Sequence, residues 1–185
     1  MWDDIDAVKA SSSTIVSSLD ESVQDYRVAV IDYKDFPTWP YGGSSDYTYR
    51  AVLPFSTNKT TIISALNSLS ASGGADWKES VYSALTRAIL TENLGSWRDG
   101  VEKIVILMGD APPHAPEPFT GYTEDSVVAT AESVDPAIIY SIVIGNDSET
   151  YESFSRLAQR TEGHVFFQPL PPVKWCKRFR MPLGQ

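Results

Sequence analysis

Ile104-Val105-Ile106-Leu107-Met108-Gly109-Asp110-Ala111-Pro112-Pro113-His114 is the stretch that decides the fold. Its first five residues form a continuous apolar run, the pattern of a strand buried on both faces of a sheet. Gly109 and the Pro112-Pro113 pair end that run abruptly. Open α/β sheets bind their ligands beyond the carboxyl ends of their strands. Asp110 occupies such an end, which makes it the first candidate functional residue.

Working outward from this strand, apolar spacing predicts helices over 3–19, 60–69, 78–90, 123–133 and 149–161. Strands are expected at 26–33, 47–54, 137–144 and 164–167. The first two strands form an antiparallel hairpin, joined by an exposed loop rich in Pro, Gly and aromatics from Phe36 to Gly43. Alternation of this kind implies an α/β fold: a doubly wound, mostly parallel sheet with one antiparallel edge strand and helices on both faces. Gly73-Gly74-Ala75-Asp76 breaks the chain before a helix, so Asp76 is expected on the same rim as Asp110. The order of elements has one gap. A doubly wound sheet enters each helix from a strand, yet here a helix comes first, so the first central strand is expected to be missing.

Composition narrows the function classes. The chain has 185 residues, 42% hydrophobic and 21% charged, with a formal net charge of −9. That size and balance suit a single globular domain. Lys174, Lys177, Arg178 and Arg180 give residues 173–185 a charge of +4, so the rest of the chain carries −13. An acidic body of this kind argues against a nucleic-acid surface. No apolar run is long enough to span a bilayer, and Met1-Trp2-Asp3-Asp4 is not the start of a secretory leader. Cys176 alone excludes an intrachain disulfide framework.

Several blocks resemble the von Willebrand factor type A domain, in its bacterial form. They are Leu53-Pro54-Phe55-Ser56, Ser72-Gly73-Gly74-Ala75-Asp76-Trp77-Lys78-Glu79-Ser80 and Trp97-Arg98-Asp99-Gly100, the last running on into the 104–114 stretch. The resemblance covers residues 1–168 and leaves 169–185 as a basic, irregular tail. It implies a Rossmann-like fold with a metal-ion-dependent adhesion site, where three loops hold a divalent ion and a partner carboxylate completes its shell. Asp110 matches the third-loop aspartate. Ala75 stands where many members place a threonine, which leaves Asp76 as the nearest oxygen donor. The first loop is not matched: Met1 resembles the residue that often ends it, so an N-terminal truncation is expected.

The resemblance therefore implies a protein-binding or adhesion module with metal ligands Asp110 and Asp76. Its cofactor is Mg²⁺, or Mn²⁺ or Ca²⁺. Its partner is a protein or extracellular-matrix ligand, met outside the cell or at its surface. Each site residue also has a plainer reading. Asp110 can cap a turn, Asp76 can be the N-cap of the 78–90 helix, and Glu79 can favour that helix through its dipole. A metal hydrolase drawn from Asp76, Asp110 and His114 has no supporting motif, and no enzyme activity is expected. His164 reads as structural. Asn58-Lys59-Thr60 and Asn146-Asp147-Ser148 match a glycosylation sequon. The alternative reading is a truncated product without independent function, which would self-associate through an exposed inner strand edge.

Overall fold

The computed structural model describes residues 2–168, so the expected tail 169–185, Cys176 and Met1 lie outside the described residues. Ten elements follow in order: α1 (Trp2–Ser22), β1 (Val28–Asp32), β2 (Arg50–Ser56), α2 (Lys59–Asn67), α3 (Val81–Ile89), β3 (Lys103–Gly109), α4 (Glu124–Ser133), β4 (Ala137–Ile144), α5 (Ser148–Arg160) and β5 (Val165–Gln168). Local side chains start several helices. Asn58 Oδ1 accepts from Thr61 N at 3.0 Å to cap α2, and Asp147 Oδ2 accepts from Thr150 N at 2.7 Å to cap α5. Thr123 and Ser126 form a reciprocal capping box at the start of α4.

The fold is α/β, with β3, β4 and β5 forming a parallel sheet in that spatial order. The expected hairpin also forms, with β1 pairing β2 antiparallel through an irregular register around Val30. The sheet is not continuous, however. β1-β2 and β3-β4-β5 are separate sheets. The carboxyl ends of β1 and β3 nevertheless meet at one rim. The Tyr33 hydroxyl, just past β1, donates to the Met108 carbonyl of β3 at 3.1 Å. A tyrosine side chain thus crosses the interval that a backbone ladder would otherwise close.

Helices bridge that interval on both sides. Val16 of α1 packs with Val30 of β1 and Ile62 of α2, while Ser12 of α1 places its Oγ 3.5 Å from Met108 Sδ. On the opposite side Val81, Tyr82, Leu85 and Ile89 of α3 join Leu107 in a core that also takes in Tyr33. The main core continues through Ile139, Val143, Phe154 and Leu157. The expectation that β3 is buried on both faces needs correction. Leu107 is buried, but Ile106 on the alternate face is 37% exposed. α1 touches that face at Met108 and leaves Ile106 open to solvent.

Candidate functional site

Three loops meet where the strands end. The loop between β1 and β2 exposes 37–40 and 43–45, as expected, while its two ends fold inward. Asp35, Phe36 and Asp46 are all buried, although Trp39 is 79% exposed. Asp46 clasps the glycine loop before α3: its Oδ2 accepts from Gly43 N at 2.7 Å and from Gly74 N at 3.3 Å. A Cβ on Gly73 would lie 1.7 Å from Asp46 Oδ1, and Gly73 has φ +92, so only glycine suits this clasp. Ala75 N donates to the Tyr41 carbonyl at 2.8 Å and fixes the same two loops together.

The glycine loop is joined in turn to the segment after β3. Glu79 and Pro113 form an isolated parallel bridge. Glu79 N donates to Pro112 O at 3.0 Å, and His114 N donates to Glu79 O at 3.2 Å. This bridge takes Glu79 out of helical pairing, and α3 begins at Val81 and not at residue 78. Two plain readings fall with it: Asp76 is not the N-cap of α3, and Glu79 does not lie in its first turn. The N-cap is Ser80, whose side chain caps nothing within the helix and instead donates to the Lys34 carbonyl. Glu117 from the third loop takes the capping role, accepting from Ser83 N at 2.9 Å and from the Ser83 hydroxyl.

At the meeting point stand Asp35, Asp76 and His114, whose ligand-capable atoms all lie within 4.8 Å of one another. His114 Nε2 lies 3.0 Å from Asp35 Oδ2 and 3.8 Å from Asp76 Oδ1. Asp35 is 0% exposed and His114 7%, whereas the Asp76 side chain is 36% exposed and faces solvent. Phe36 N donates to Asp35 Oδ1 at 2.7 Å. The His114 ring sits edge-on to Tyr41 at 5.1 Å and beside Phe36 at 6.2 Å. Burial pushes the Asp35 carboxyl above its ordinary value, opposed by its bonds to His114 and Phe36.

Glu79 lies within the charge field of this cluster. Burial, followed by the charges of Asp35, Asp110, Asp46 and Asp76, pushes its carboxyl up to about 8. Its Oε2 is buried without a hydrogen-bond partner among the described residues. Such an oxygen is costly unless a donor or cation meets it.

Of the two residues expected from sequence, the structure brings Asp76 to Asp35 and His114. Asp110 acts on the same rim through its charge on Glu79, and its carbonyl accepts from Thr150 Oγ at 3.3 Å. Sequence reasoning missed Asp35. The signal for it was present, because Asp35 follows the first strand much as Asp110 follows the third. His164 is exposed, far from this cluster in the sheet, with its ring 6.0 Å from Tyr140. Around the cluster the three loops expose Trp39, Trp77 and Phe119, at 79%, 52% and 61% respectively.

A family model described as the von Willebrand factor type A domain matches residues 2–171. No curated protein matches the chain.

Proposed function

The chain belongs to the von Willebrand factor type A domain family, whose members are generally non-catalytic interaction modules, and from that premise we propose that its rim docks a protein partner through a divalent cation. One observation carries this reading: three loops gather Asp35, Asp46, Asp76 and Asp110 about Glu79, whose buried Oε2 has no hydrogen-bond partner among the described residues. Lys34, 4.0 Å from Asp46 Oδ1, offsets only part of that charge. Two of these acids, Asp35 and Asp46, are buried, and such an excess of carboxylates at one rim favours a bound cation.

Asp110 and Asp76 are the residues proposed to hold a hard ion, Mg²⁺ or else Mn²⁺ or Ca²⁺, all of which favour oxygen ligands. When bound, the ion supplies positive charge and open coordination positions for a partner's Asp or Glu. The exposed Trp39, Trp77 and Phe119 surround that position with apolar contact area, the residue types that dominate protein interfaces. The partner on this reading is a protein or matrix ligand, met outside the cell or at its surface. No described helix is long and apolar enough to cross a membrane.

The test is titration of the chelator-stripped chain with Mg²⁺ and Mn²⁺, followed by heat of binding and thermal midpoint. Uptake that stabilises the chain and is lost in Asp110→Ala supports the reading. Equal behaviour of both chains overturns its metal part and leaves a metal-independent interaction module. A second reading, self-association in place of an independent adhesive role, is favoured by the division of the sheet into two.

A further inference from the structure

We infer that Asp35, Asp76 and His114 form a distinct metal site for a transition-metal divalent cation of the zinc class, separate from any hard-ion site at Asp110. The argument begins with the donor set. An imidazole nitrogen and two carboxylates suit Zn²⁺ and its neighbours, whereas Mg²⁺ and Ca²⁺ take oxygen almost exclusively. Ligand atoms placed tetrahedrally around zinc, at about 2.0–2.1 Å from it, lie roughly 3.3 Å apart. The His114 Nε2 separations of 3.0 Å to Asp35 and 3.8 Å to Asp76 straddle that value. The Asp35 and Asp76 oxygens lie within 4.8 Å of each other, and the solvent-facing Asp76 is the side chain that would move to close the set around an ion.

The surroundings hold two of the ligands in place. Asp35 is wholly buried and anchored by Phe36 N. The His114 backbone is fixed by its bond to Glu79 O, and its ring packs against both Phe36 and Tyr41. A metal site gains affinity when its ligands are fixed before the ion arrives. Asp76 closes the set from the solvent side, so three protein ligands leave one position open to water or to a partner's carboxylate. A second observation lies beside the three ligands: Glu79, whose carbonyl accepts from His114 N at 3.2 Å, has a buried Oε2 with no hydrogen-bond partner among the described residues.

Asp76 is common to this site and to the Asp110 reading, so Asp110 and His114 are the variants that separate them. The chelator-stripped chain is dialysed against Zn²⁺ and against Mg²⁺, and Co²⁺ is added as a spectroscopic probe. We expect one Zn²⁺ per chain, bound more tightly than Mg²⁺, and Co²⁺ bands of four-coordinate intensity. His114→Phe, which keeps a ring among Phe36 and Tyr41, and Asp76→Ala, a surface change, should each weaken Zn²⁺ by at least about tenfold. Asp110→Ala should retain Zn²⁺ and the Co²⁺ bands. Thermal unfolding checks that each variant folds, and Asp76→Ala decides the matter if His114→Phe does not. Zn²⁺ held no more tightly than Mg²⁺, or held equally by Asp76→Ala, overturns the proposal. So does Asp110→Ala losing Zn²⁺ as fully as His114→Phe, since that outcome means a single shared site. Failure of Mg²⁺ uptake alone bears only on the Asp110 reading.

Discussion

Glu117 shows how one buried acid can replace a missing cap. Ser80 turns its hydroxyl to Lys34, so the first turn of α3 takes its acceptor from Glu117, which is 1% exposed and also accepts from Thr120 Oγ at 2.9 Å. Glu117→Ala leaves those donors unmet in the interior, at a cost of about 1–3 kcal/mol in chemical denaturation. Burial holds the Glu117 carboxyl above its ordinary value, with the bonds from Ser83 and Thr120 pulling the other way. The charged form is therefore disfavoured in the fold. Its contribution to stability is full below the ordinary glutamate value of 4.5 and declines as pH rises through the raised folded value. Glu117→Gln, which cannot ionise, should remove that part of the decline, as read from unfolding midpoints across the acid range.

Among the elements, β4 differs from β1 and β3 in how its backbone is satisfied. β4 pairs with β3 on one side and β5 on the other, while β1 and β3 each have a single strand partner among the described residues. Amide exchange should therefore be slowest in 137–144 and faster at alternate positions of β1 and β3. Uniform protection across all three strands would show that the interval is closed in solution. Tyr33 carries a side-chain hydrogen bond across it to the β3 backbone, and Gly109 leaves room for that ring. A Cβ at Gly109 would lie 2.6 Å from the Tyr33 hydroxyl and 3.1 Å from Phe154 Cζ. Gly109→Ala should cost about 1–3 kcal/mol through this crowding. Tyr33→Phe should cost about 1 kcal/mol for the lost hydrogen bond.

For the whole molecule, the divided sheet has a colloidal consequence. Unpaired strand edges are templates for association with other chains, and Ile106 adds exposed apolar surface beside one of them. Residues 2–168 should therefore self-associate with rising concentration in sedimentation velocity, and Ile106→Lys should reduce that association while keeping the fold. A monomer at all concentrations, with cooperative unfolding, would count against the self-association reading.

Much of this was legible in the sequence because it depends on local pattern. The run Ile104–Met108 marks β3, and Asp110 follows from its place at the strand end. The association of Asp35, Asp76 and His114 was not legible, since it joins residues 79 positions apart through loops without periodicity. Apolar spacing extended α3 back to residue 78, because no local signal announces the Glu79–Pro113 bridge formed there. The sequence by itself determined the elements, their order and the acidic rim, all consequences of neighbouring residues and their spacing. Only the tertiary structure decided which acids share a site, which one caps α3 and how the two sheets meet at Tyr33, because each depends on loops brought together by the packing beneath them.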